Sequence, residues 1–179
     1  KCTCNKDNCP SPGKHPFTKN GVKSATTDTV DISNWFTKYP YLNIGIATGK
    51  VSGIFVMDVD LDKNGHLTLD DLIHNYGPLP DTVHAITGSG GSHYLFKYQE
   101  GIGNKVDILP GIDIRGDGGY IVVPPSKHIS GRQYEWELSS RPYVNPIVDA
   151  PQWLLDKIIN SEEGKSKRKP SSYWAKIIR

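Results

Sequence analysis

The sequence predicts an α+β domain, built on a mostly antiparallel sheet with flanking helices and preceded by a Cys-rich arm. Three observations carry that expectation. Strand-like segments outnumber helical ones, the two kinds come in mixed order, and several neighbouring strands are joined by short glycine turns of the hairpin kind. At 179 residues the chain suffices for one domain with a sizeable core and no need of disulfides. A hydrophobic share of 36% and a charged share of 22% exclude a disordered chain. No apolar run reaches the ~20 residues of a membrane helix, so no membrane partner is expected, and the first residues lack a leader pattern.

The elements follow in order. Residues 1–20 hold all three cysteines and almost no apolar side chains, so they build no core. Cys2, Cys4, Cys9 and His15 read C-x-C-x4-C-x5-H, three thiolates and an imidazole that suit a tetrahedral zinc site. An odd, clustered set of cysteines is unlike a disulfide framework and fits a reducing, cytoplasmic setting. Lys14, next to His15, is a candidate phosphate contact. Thr27 or Asp28 caps a helix whose Ile32, Trp35 and Phe36 share a face and are expected in the core rather than as platforms for stacked bases, and Tyr39-Pro40 ends it. Residues 43–49 form a short strand, expected to pair as a hairpin with the next one across a 49–53 turn.

That next strand is Gly53-Ile54-Phe55-Val56-Met57-Asp58-Val59-Asp60. Its alternation points Asp58 and Asp60 to one face, roughly 7 Å apart. Two such carboxylates suit a hard cation that leaves room for substrate phosphates; an acidic surface turn is the plain alternative. Residues 60–71 imitate a calcium loop, with Asp60, Asp62, Asn64 and Gly65 in register. Yet Asp71 stands where glutamate belongs and a strand, not a helix, leads in, so an Asn-Gly turn is the better reading.

A helix is predicted over 66–76, with Leu67, Leu69, Leu72 and Ile73 apolar and Gly77-Pro78 at its end. Residues 82–87 and 92–98 form a hairpin around Gly88-Ser89-Gly90-Gly91. Short extended pieces follow at 106–109, 112–115, 120–123 and 134–137, and a helix over 151–159 shows Trp153, Leu154 and Ile158 on one face. Residues 161–179 carry six Lys or Arg against two Glu, a basic linker leading into a further helix from Tyr173. The net charge of +2 is too small by itself to mark a nucleic-acid binder. The expected divisions are an arm at 1–20, a main domain at 21–160 and the linker at 161–179, in what reads as a piece of a longer protein.

Five motifs in order give the chain a likeness. Asn43-Ile-Gly-Ile-Ala-Thr-Gly49, Val56-Met-Asp58-Val-Asp60, Thr87-Gly-Ser-Gly-Gly-Ser-His93, Gly111-Ile-Asp-Ile-Arg-Gly-Asp-Gly-Gly119 and Val123-Pro-Pro-Ser126, preceded by Gly13-Lys14-His15-Pro16, run through most of the chain up to about Trp136. In these it resembles the archaeo-eukaryotic primase superfamily, and most closely its bifunctional primase/polymerase branch, found in replication proteins of plasmids, phages and integrated elements. The resemblance implies an RNA-recognition-like catalytic core and template-directed joining of nucleoside triphosphates on single-stranded DNA. It also implies two magnesium or manganese ions on Asp58, Asp60 and Asp113, and a helicase farther along the full chain. Ser92 and His93 match the family's second motif, although they are adjacent here. His93 would donate to the incoming triphosphate, and Gly88, Gly90 and Gly91 would let backbone approach the nucleotide. Arg115, on the strand face of Asp113, would pair with phosphate or simply neutralise Asp113 or Asp117, and His93 has a core histidine as its alternative. A catalytically inactive nucleic-acid-binding module and a metal-dependent nuclease are the competing functions.

Overall fold

A computed structural model describes residues 2–166 of the chain. The order of elements is α1 (Thr29–Lys38), β1 (Ile44–Ala47), β2 (Ile54–Val59), α2 (Gly65–Tyr76), β3 (His84–Ile86), β4 (Ser92–Lys97), β5 (Lys105–Leu109), β6 (Ile112–Arg115), β7 (Tyr120–Val123), β8 (Glu135–Trp136) and α3 (Gln152–Ser166). The fold is α+β and its strand pairs are antiparallel, as the sequence predicts. Six strands form one sheet in the order β5-β6-β2-β4-β3-β8, and β1 and β7 form a second. No helix among the described residues is long and apolar enough to cross a membrane.

Strand β2 is central, bonded to β4 on one side and β6 on the other. Both its faces are covered, hence its nearly unbroken apolar sequence. Phe55, Met57 and Val59 pack with Leu69 and Leu72 of α2 and Leu154 and Ile158 of α3. Ile54 and Val56 face the other way, onto Ile121 and Val123 of β7. Asp58 is the next residue on that second face, so the same alternation that builds two cores delivers a carboxylate to the gap between the sheets.

Two expectations about packing fail. The hairpin of residues 43–49 with 53–60 does not form: β1 pairs with β7, from Ile44 opposite Val123 to Ala47 opposite Tyr120. The turn itself exists, with the Gly49 N–H donating to the Ile54 carbonyl. But the Thr48 hydroxyl and N–H bond the carbonyls of Gly116 and Gly119, drawing the end of β1 toward the turn before β7. Helix α1 is capped as expected, the Asp28 carboxylate accepting from the N–H groups of Val30 and Asp31. Its apolar face, however, enters no core, for no residue of α1 is buried.

In α2 the inward positions are Leu69 and Leu72, while Leu67 is 55% exposed on the outer side. The calcium-like segment is a single 3-10 turn, Leu61–Lys63, followed by Asn64 in the left-handed conformation at φ 60°. Gly65 then approaches β6 so closely that a Cβ there would lie 2.2 Å from the Gly111 carbonyl oxygen. Helix α3 runs on to Ser166, past residue 159 where the sequence places its end. The helix expected from Tyr173 lies outside the described residues.

Candidate active site

Directly opposed residues of neighbouring strands project to the same face of a sheet. Asp58 opposes His93 on β4 and Asp113 on β6, so the three form one row across the middle of the six-stranded sheet. Arg115 opposes Val56, one step along on the same face. Its Nη2 lies 2.7 Å from Asp113 Oδ2 and 3.2 Å from Asp58 Oδ2, so one guanidinium nitrogen bridges both acids. The other Asp113 oxygen accepts the Asp107 N–H at 2.8 Å. Nε2 of His93 stands 3.4 Å from Asp58 Oδ1, and its buried Nδ1 has no protein partner. Of the two readings of Arg115, the structure displays the pairing with carboxylate, extended to Asp58.

The electrostatics follow from these contacts. Burial pushes the Asp58 carboxyl up, but His93 and Arg115 together outweigh it and hold the group at about 2. Tyr134 is pushed up to about 12 by burial and then by the Asp58 charge. Just past β2, Asp60 pairs with Lys63 at 3.4 Å, and Lys63 also reaches Asp107 at 3.7 Å. Burial pulls the Lys63 ammonium down; Asp113, Asp107 and Asp60 outweigh that and raise it.

These groups line a cleft of about 390 Å³. Of the residues expected from sequence, Asp58, Asp60, Asp113, His93, Arg115, Lys14 and His15 all border it. Ser92 does not. Alternation along β4 turns it to the opposite face from His93, opposite Val59 of the helix-side core. Gly90 and Gly91 do not line it either, and packing explains their identity. A Cβ at Gly91 would lie 2.3 Å from the Val59 carbonyl oxygen, and at Gly90 it would meet Leu61 with φ at +94°. Lys63, Asn104 and Tyr134 belong to the cleft but do not stand out in the sequence, whereas Thr87, which also lines it, opens the glycine-rich motif that ends in His93. Of the three, Lys63 alone carried a signal, three residues beyond Asp60 in the turn that imitates a calcium loop.

The arm forms a wall of the cleft. One ligand atom each from Cys2, Cys4, Cys9 and His15 lies within 4.8 Å of the others. The backbone of Cys4 draws the Cys2 thiol down to about 6, whereas burial pushes that of Cys9 up to about 11. The Lys14 carbonyl accepts the Tyr120 hydroxyl at 2.9 Å, and Asn43 Nδ2 donates to the Gly13 carbonyl at 3.0 Å, fastening the arm to the β1–β7 sheet.

Three thiols and an imidazole gathered this closely suit tetrahedral zinc. Asp58 and Asp113 offer hard oxygens of the kind magnesium and manganese take, with the Arg115 guanidinium lying between them. Asp60 pairs with Lys63 instead, and among the described residues the Cys and His set alone is gathered as closely as a metal site requires. No curated protein matches the chain. The family model for bifunctional DNA primase/polymerase, N-terminal, matches residues 7–153, a span that contains the whole row, Arg115 and the cleft residues around them. With most of its length inside that match, the chain belongs to the bifunctional DNA primase/polymerase N-terminal domain family, whose general chemistry is nucleotidyl transfer with nucleotide and nucleic-acid substrates.

Proposed function

We propose that this domain is a template-directed primase/polymerase that joins nucleoside triphosphates on single-stranded DNA by two-metal nucleotidyl transfer. The observation that carries the reading is the His93–Asp58–Asp113 row at the mouth of a polar cleft, with Asp60 at its edge. Strand order supports an RNA-recognition-like core: β6-β2-β4-β3 lie side by side, with α2 between β2 and β3. The catalytic unit would span 21–160, with the zinc arm at 1–20 before it and a linker toward a helicase at 161–179.

Magnesium or manganese, held as a pair by Asp58, Asp60 and Asp113, would stabilise the attacking 3′-oxygen and the leaving pyrophosphate oxygens. The chain's own residues orient and neutralise. Arg115 bridges Asp58 and Asp113, and is long enough to turn to a phosphate. His93 orients Asp58 through Nε2, while its Nδ1 is buried. Lys14 and Lys63 both line the cleft as cations for the triphosphate tail.

The test is primer synthesis and extension by the wild type, Asp58→Ala and Asp113→Ala, beside a labelled oligonucleotide incubated with metal but no triphosphates. Incorporation by the wild type alone is expected. Shortening of the oligonucleotide would instead indicate a nuclease, and template binding without incorporation an inactive module.

A further inference from the structure

A second cavity, of about 610 Å³, lies between α1, the Cys-rich arm and the β1–β7 sheet. It adjoins the cleft, since Lys14, His15, Tyr120 and Val122 line both. Its walls include Phe17, Trp35, Phe36, Tyr41 and Tyr120, five aromatic rings. Tyr41 is 96% exposed and Phe17 44% exposed, while Trp35 and Phe36 on α1 are half-buried. Lys14 and Lys127 also line the cavity, and among the described residues no aspartate or glutamate does. The adjoining cleft differs, for there Asp58, Asp60 and Asp113 stand against Lys14, Lys63 and Arg115.

An amphipathic helix normally spends its apolar face on a core. Here that face joins no core and lies half-buried beside a cavity lined by Lys14 and Lys127 that adjoins the cleft holding the row of carboxylates. Exposed rings along a positively charged groove are the usual means of holding single-stranded nucleic acid, because every base offers a face for stacking while lysines follow the phosphates. We propose that this groove holds a single strand of DNA as it enters the cleft, with bases stacked on Trp35 and Tyr41 and backbone phosphates near Lys127 and Lys14. The proposal rests on the polymerase reading above and adds to it the path of the strand.

The experiment uses the full 179-residue chain and a single-stranded oligonucleotide carrying 5-iodouracil, without triphosphate or divalent metal. Ultraviolet cross-linking followed by peptide mapping is expected to mark the peptides containing Trp35 and Tyr41. In fluorescence anisotropy, Trp35→Ala and Tyr41→Ala should each weaken binding by about tenfold, the scale of one lost stacking contact. Lys127→Ala should lower the salt dependence by about one released ion. Tyr41 is so exposed that its variant keeps the test open should Trp35→Ala destabilise the fold. Cross-links elsewhere, with wild-type affinity in both aromatic variants, would overturn the proposal. So would loss of binding to an apolar dye without loss of binding to DNA. Extension by the wild type separates the two ideas: normal extension with unaffected groove variants removes the groove alone, whereas groove binding without extension removes the polymerase reading.

Discussion

The two faces of the six-stranded sheet are made by alternate residues of the same strands, yet they do opposite work. Toward the helices, Phe55, Met57, Phe96, Ile112 and Ile114 have no solvent exposure and pack with Leu154 and Ile158 in a continuous apolar layer. Toward the cleft, the intervening residues include Asp58, His93, Asp113 and Arg115, buried or half-buried but paired with one another. The helix-side face carries apolar packing, whereas the cleft-side face adds paired ionisable groups to its own apolar cluster around Val56. A strand can thus hold ionised groups in fixed positions because its other side chains are locked a few ångströms away.

The widest separation of the faces comes from Phe55→Ala against Asp113→Asn. Phe55→Ala removes a fully buried ring and is expected to cost about 3–5 kcal/mol in urea unfolding. Asp113→Asn should leave most of the unfolding free energy in place while lowering nucleotide incorporation by roughly 10²–10³-fold, the scale on which one charge-stabilising group acts. Comparable losses of stability in both would erase the division.

Acid sharpens the same contrast. The Asp58 carboxyl is held at about 2 in the fold against 3.8 ordinarily. A depressed carboxylate contributes stability above its unfolded value, and this is lost as pH falls from near 4 toward 2. Roughly 2 kcal/mol should disappear across that window, and less in Asp58→Asn; equal acid sensitivity of the two proteins in pH-dependent unfolding would contradict the pairing. A smaller effect is expected at the arm, which lies outside both cores. Cys9→Ser should abolish bound zinc, measured by elemental analysis, and lower the unfolding free energy of the sheet by no more than about 1 kcal/mol. Smallest of all is Asp62→Ala. This exposed acid of the calcium-like turn should alter stability and incorporation by less than about 0.5 kcal/mol equivalent.

What was legible in the sequence was whatever a local period encodes. The run at 54–59 disclosed a central strand, and its ending in Asp58 and Asp60 disclosed the edge of the site. Residues 88–91 disclosed the β3–β4 hairpin. Pairing between distant segments was hidden, because β1 and β7 are equally apolar and nothing local says that they meet. The same limit concealed Tyr134 and Asn104, which reach the cleft only through the tertiary fold. Ser92 misled because its neighbour His93 is in the site, and adjacency in a strand means opposite faces. Trp35 and Phe36 misled because an amphipathic pattern shows that a face is apolar without showing what covers it.

The central claim is that the acids on the cleft face gather divalent ions with a nucleotide. Manganese titration followed by electron paramagnetic resonance, in the presence of a non-hydrolysable triphosphate, tests it most directly. Two bound ions are expected in the wild type and loss of at least one in Asp113→Asn, with the fold intact by circular dichroism. The same number of ions in both proteins would contradict it.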